Sequence, residues 1–176
     1  MIHLRQKIKK EKHMLRKISV TCLVLSVLLV GGAFAMGPVE VMAYGGLTGS
    51  NYTGGYDLGA SALVNLPALP KLGVEVERST MIGNVNIVRL GLVYEQTLIP
   101  FLTSIKFSAG SSSISGDGSF IIGSRTFAAS STTNGSYVSA GLVVKVLFLA
   151  VNPKYVYNQY DGVSVSEGII NAGLTF

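Results

Sequence analysis

The sequence predicts an all-β fold: eight antiparallel strands closing up-and-down into a transmembrane β-barrel, preceded by a cleavable signal peptide. Three observations predict it. Segments of about ten residues with alternating polarity recur through residues 36–176, separated by Gly, Asn, Ser and Pro. Those 141 residues hold 15 charged side chains, about 11%, where a soluble domain carries about 25%. The final segment alternates to its end: Gly168, Ile170, Ala172, Leu174 and Phe176 form an apolar face, and Glu167, Ile169, Asn171, Gly173 and Thr175 a smaller, more polar one.

The leader comes first. The net charge of +5 is unevenly placed: residues 1–35 carry seven Lys or Arg and one acid, and residues 36–176 carry seven bases and eight acids. The basic balance therefore belongs to the leader and does not point to nucleic acid. Met14-Leu15-Arg16-Lys17 is a basic start, Ile18 to Val30 an apolar core, and Ala33-Phe34-Ala35 a small-x-small cleavage pattern. Domains are thus 1–35, signal peptide, and 36–176, barrel. Met14 is an alternative translation start, because residues 1–13 make the basic region unusually long. An uncleaved membrane anchor is the rival reading, but Gly31-Gly32 and Ala33-Phe34-Ala35 favour cleavage. The single cysteine, Cys22, lies in the leader, so the barrel contains no disulfide.

Eight strands follow in order: Val39–Gly49, Tyr56–Leu66, Lys71–Thr80, Val85–Thr97, Leu102–Ser113, Ser136–Leu149, Lys154–Asp161 and Ser164–Phe176. A tilted strand crosses a membrane in about 9–11 residues, so the chain suits the smallest closed barrel. Three connections contain proline, Leu66–Pro70, Leu98–Phe101 and Ala150–Pro153, as expected of a residue confined to turns and strand ends. The others are rich in Gly, Asn and Ser. An even strand count puts both termini at the proline-turn side.

The charges decide which face meets lipid. Glu75 and Glu77 share a face with Gly73, against Leu72, Val74 and Val76; Arg89 and Glu95 align with Gly91; Lys106 with Ser104 and Ser108; Lys145 with Ser139 and Gly141. A lysine or arginine on the lipid face costs about 2–4 kcal/mol at mid-membrane, so these faces line the lumen. Eight strands leave room there only for side chains. Glu40, Glu75, Glu77, Glu95 and Glu167 are therefore expected to meet Arg89, Lys106 and Lys145 in an ion-pair network that plugs the bore. A gated ion path is the sharper alternative. Tyr94, Tyr155 and Tyr157 near the proline turns, with Tyr52, Tyr56, Tyr137 and Tyr160 near the other end, are expected to form interfacial belts.

This pattern, with the ending GIINAGLTF, resembles the eight-stranded outer-membrane barrels of the OmpA transmembrane-domain and OmpX kind. The resemblance implies the bacterial outer membrane, reached by secretory export, with the short turns periplasmic. It also implies that Ile170, Ala172, Leu174 and Phe176 are an assembly signal read by the barrel-assembly machinery. The expected partners are that machinery and outer-membrane lipid, with the barrel a monomer and no nucleic acid bound.

Chemistry is excluded mainly by absence. Both histidines, His3 and His13, lie in the leader, which removes His-dependent triads and His/Cys metal sites from the barrel. No catalytic residue, cofactor or metal is expected. Glu75 and Glu77, two apart on one face, resemble a carboxylate pair but sit beside Arg89 and the lysines. The distinctive stretch is Ser112–Gly135, too long for an ordinary connection. Its apolar centre, Phe120, Ile121, Ile122 and Phe127 around Arg125, suits a small extracellular hairpin, a cover folded over the mouth, or a surface contact. Three functions remain open: a non-enzymatic structural or surface-interaction protein, a narrow channel or small-solute porin, and a soluble periplasmic lipocalin-like carrier.

Overall fold

The computed structural model describes residues 39–65, 69–122, 125–128 and 131–176. The predicted leader lies outside them. The described residues form a closed antiparallel barrel of eight strands plus a separate two-stranded hairpin. The barrel strands are β1 Val39–Ser50, β2 Gly54–Val64, β3 Lys71–Met81, β4 Val85–Ile99, β5 Thr103–Gly116, β8 Thr132–Val146, β9 Leu149–Tyr160 and β10 Val163–Thr175. The hairpin is β6 Phe120–Ile122 and β7 Arg125–Phe127. Each barrel strand pairs with the next, and β1 pairs with β10 to close the ring. Two ends result. The hairpin end carries β6–β7, and the terminal end carries Val39 and Phe176.

Alternation follows the expected faces through the middle of the wall. Leu58, Leu72, Val74, Val76, Leu90, Leu92, Val138 and Ile170 are exposed on the outside, while Glu75, Glu77, Arg89, Lys106 and Glu167 are buried within. Outward Ile170, Ala172 and Leu174 share one face of β10, and Phe176, just past its end, exchanges two backbone hydrogen bonds with Val41, at 2.8 and 2.9 Å.

Several boundaries differ from the sequence reading. The turn expected at Ala150–Pro153 lies instead at Leu147–Phe148, and β9 starts at Leu149. Pro153 stands inside that strand, opposite Ile170. Its missing N–H is accommodated where the β8–β9 ladder lapses, between the Gly141–Lys154 and Val144–Val151 pairs. The long connection is shorter than expected, because β5 runs on to Gly116 and β8 begins at Thr132. β2 starts two residues early, and β4 reaches Ile99 through an irregularity between Thr97 and Ile99. The tyrosine belts are only partly present. Tyr137 and Tyr160 are buried in the interior, and Tyr155 and Tyr157 lie away from the terminal end because β9 begins earlier.

The turns use two different chemistries. At the hairpin end, Gly83, Asn84 and Gly162 take the left-handed backbone, with φ of 89°, 59° and 82°. Glycine and asparagine enter that region readily. At the terminal end the same region is occupied by Phe101 at 63° and Leu147 at 57°.

Candidate functional site

The lumen is the place where side chains of unlike charge converge, and they lie in three tiers. At the terminal end, inward positions of β1, β3, β4 and β8 bring four charges together. Lys71 Nζ lies 2.5 Å from Glu40 and 3.5 Å from Glu95, and Lys145 Nζ lies 2.8 Å from Glu95 and also bonds Glu40. Ser104 donates to Glu95 at 2.7 Å. Met42, Val143 and Ala150 pack just above.

The second tier is centred on Glu75. Lys106 Nζ lies 2.9 Å away, Tyr137 Oη donates at 3.1 Å, and Ser108 Oγ donates as well. Tyr44 reaches the same carboxylate at 3.5 Å. Its ring lies 5.4 Å from the Lys106 ammonium and 5.3 Å from that of Lys154, an arrangement that draws both cations onto the aromatic face. Two glycines make space for these tyrosines. A Cβ on Gly59 would lie 2.5 Å from the Tyr44 ring, and one on Gly91 would collide with the Tyr137 hydroxyl.

Arg89 dominates the third tier and is wholly buried. Its Nη1 lies 3.4 Å from Glu77 and 3.8 Å from Asp57, and donates to Ser79 at 2.8 Å. Its Nη2 bonds Glu167, and its Nε donates to Asn158 at 2.9 Å. Lys154 bonds Glu77 from the far wall. Asn171 donates to Asp57 at 2.9 Å, and Thr48 and Asn158 donate to Glu167 at 3.1 and 2.7 Å. The guanidinium thus uses most of its donors, and its charged and polar partners come from four strands, β2, β3, β9 and β10.

Above Arg89 the interior changes character. Met81, Val85, Ile87, Ile114, Tyr160, Val163 and Val165 form an apolar cluster, and the hairpin drops Ile122 and Phe127 into it. Phe120 and Phe127 stack with centroids 5.0 Å apart. Ile121 points outward. Arg125 is placed in β7 by its backbone.

Of the eight charged residues named from the sequence, Glu75, Glu77, Arg89, Glu95, Lys106 and Glu167 are buried on inward positions and Glu40 and Lys145 are partly buried at the terminal end. Lys71, Lys154 and Asp57 join them, with Tyr44, Tyr137, Asn158 and Asn171 as neutral partners. Lys154 was hidden by reading Pro153 as a turn. Asp57 and the asparagines sit on polar faces that alternation marks, but nothing local to them announces a partner. Chemically, each lumen carboxylate is held by a cation, an amide or a hydroxyl. Among the described residues no group of His, Cys, Asp and Glu is arranged to hold a metal ion.

No protein-family model matches the chain. No curated protein matches it in sequence. Solved structures do match its fold. The amino-terminal β-barrel domain of Pseudomonas aeruginosa OprF aligns with a TM-score of 0.55 at 14% identity, over 78% of this chain and 96% of that one. Ail, the attachment invasion locus protein of Yersinia pestis, solved with the heparin analogue sucrose octasulfate, gives 0.54 at 17% identity, over 78% and 99%. A de novo designed transmembrane β-barrel gives 0.53 at 14%, over 78% and 95%. At these identities the likeness is one of architecture. The chain has the fold of the small eight-stranded outer-membrane barrels.

Proposed function

We propose that the protein is an integral barrel of the bacterial outer membrane that performs no enzymatic chemistry and conducts no solute, and that it serves a structural or surface-interaction role. The observation that carries this reading is the order of side chains along the bore, paired charges in three tiers and then an apolar tier joined by the hairpin, which supports a plugged lumen. A channel needs a continuous wet path, and the wholly buried Arg89 stands across it. The large apolar side chains on the outside of every barrel strand support a membrane location. A soluble carrier would turn them inward around a ligand.

The leader supports export, with cleavage after Ala35. The outward face of β10 supports recognition of Ile170, Ala172, Leu174 and Phe176 by the assembly machinery. Ail, named for attachment and invasion, shares this fold, and the outward Ile121 of the hairpin lies where a surface contact would form.

Planar-bilayer recording tests the sealed bore. Purified wild-type protein should give no steady single-channel current, and discrete conductance steps would overturn the sealing. Fractionation tests the location: the protein should stay with membranes after a urea wash and migrate faster on gels before boiling than after. Release into the soluble fraction would overturn the membrane reading. Deleting Phe176 should lower the yield of folded barrel while synthesis and export continue, and an unchanged yield would remove the assembly signal.

A further inference from the structure

The lumen does not explain the outer surface of the terminal end. There the end of β4 exposes Leu98 and Ile99, the β4–β5 turn exposes Phe101 and Leu102, and the β8–β9 turn exposes Leu147 and Phe148. Phe101 is 97% exposed and Leu147 88%. The two turns are neighbours on the rim, since β5 pairs with β8 and the Lys145 N–H donates to the Leu102 carbonyl at 2.7 Å.

Three observations identify what covers this patch. The first is backbone conformation. Phe101 and Leu147 hold the left-handed region, which crowds the Cβ of an L residue. Turns at the hairpin end fill that region with Gly83, Asn84 and Gly162. The terminal turns instead accept strain and project large apolar side chains outward. The second is charge. Among the described residues, Glu40, Lys71, Glu95 and Lys145 turn into the lumen at this end, whereas the exposed charges Arg78, Asp117 and Asp161 lie at the opposite one. The third is backbone satisfaction. The Leu102 N–H donates to the Ile99 carbonyl at 3.1 Å, the Leu102 carbonyl accepts from Lys145, and the Phe148 carbonyl accepts from the Thr175 N–H at 2.8 Å. Irregular backbone exposed to lipid does not enter the hydrocarbon region, so the turn apices stay at its polar edge and only their side chains reach inward. A protein partner would be met by an apolar centre inside a polar rim. Here the patch runs from Leu147 into the outward column Val146, Val144 and Leu142 of β8.

We propose that the β4–β5 and β8–β9 turns form a lipid-seated foot: the turns sit at the edge of the membrane leaflet at the terminal end, and their apolar side chains reach its acyl chains rather than standing in water. The proposal rests on the membrane-spanning reading and adds a contact to it.

The chain contains no tryptophan, so an engineered one is a unique reporter. Phe101→Trp and Leu147→Trp are refolded into phosphatidylcholine vesicles whose acyl chains carry bromine at defined depths. Leu92→Trp, in the middle of the outer wall, and Tyr52→Trp, in the β1–β2 loop, serve as references. Heat-modifiable migration confirms that each variant has folded, and Leu102→Trp replaces either foot variant that does not fold. The expected result is blue-shifted emission at 101 and 147, with at least half the bromolipid quenching seen at 92 and little quenching by aqueous iodide. Iodide quenching without bromolipid quenching at 101 and 147, while 92 is quenched by bromolipid, would overturn the foot and leave the membrane reading standing. Blue-shifted emission that neither quencher reaches would place a protein surface there and likewise overturn it. Absence of bromolipid quenching at 92 would remove the membrane reading, and the foot with it.

Discussion

At the hairpin end Met81, Ile87, Ile114 and Val165 fill the bore, while Arg78, Asn86, Asp117 and Asp161 face outward. At the terminal end Glu40, Lys71, Glu95 and Lys145 fill the bore, while Leu98, Ile99, Phe101 and Leu147 face outward. One wall therefore carries both arrangements, and single strands pass from one to the other. On β4 the inward residue changes from Ile87 to Arg89 as the outward one changes from Asn86 to Val88. At the hairpin end the polar groups share the outer surface with exposed Ile82 and Ile121, whereas among the described residues no charged side chain is exposed at the terminal end. The reversal is what a strand shows when it leaves an aqueous surround for an apolar one. If the barrel spans a membrane as proposed, its position just above Arg89 would mark the solvent boundary on the wall.

That comparison breaks first where the two arrangements meet. Arg89→Ala should lower stability by about 3–5 kcal/mol, because Glu77 and Glu167 lose a buried partner. Urea unfolding in detergent, followed by far-UV circular dichroism or gel migration, reads it. An unchanged midpoint would mean that the inward face of β4 is wrongly assigned. Phe127→Ala acts only on the hairpin end. It should weaken hairpin docking by about 3 kcal/mol, seen as faster amide exchange in β6–β7 with the unboiled gel band unmoved. A comparable loss in the barrel strands would show that the two ends are not separable.

The terminal end should respond less. Lys145→Ala should cost about 1–2 kcal/mol, since Glu95 keeps Lys71 at 3.5 Å and Ser104 at 2.7 Å. The urea midpoint should move by less than half the Arg89 shift, and an equal shift would erase the gradation between tiers. Smallest is Phe101→Asn. Asparagine enters the left-handed region more easily, so the variant should gain up to about 1 kcal/mol in detergent. The gain should vanish in a bilayer, where Phe101 contacts lipid. The same gain in both media would argue against that contact.

The middle of the wall was legible because period 2 is a geometric property of strands. Leu72, Val74 and Val76 against Gly73, Glu75 and Glu77 can be read without a structure. The ends were not, because the same alternation continues while its meaning reverses. Ile87, Ile114 and Val165 look like exceptions on polar faces until the hairpin is seen to seal them from water. Pro153 misled for a physical reason: proline ordinarily ends strands, whereas the actual turn, Leu147–Phe148, carries no Gly or Asn to announce it. Lumen contacts were legible only between adjacent strands. Register offers Glu77 to Arg89 across one ladder. The bonds from Arg89 to Glu167 and from Lys154 to Glu77 cross the bore, and no neighbour relation in the chain specifies them.

The seam between β1 and β10 joins the first barrel strand to the last. It runs through nine residue pairs from Met42–Thr175 to Ser50–Glu167, whose first partners stand 133 positions apart. The consequence is one of timing. Every other ladder in the ring can form as its second strand is delivered, but β1 must wait for the whole chain with its edge unpaired. Loop-closure entropy rises only slowly with length, so the delay costs little free energy, yet nothing repays it until β10 arrives. A chain halted before β10 is therefore an open sheet with two sticky edges rather than a weaker barrel. Completion is a single late event, and it separates finished molecules from unfinished ones more sharply than any local defect in the wall would.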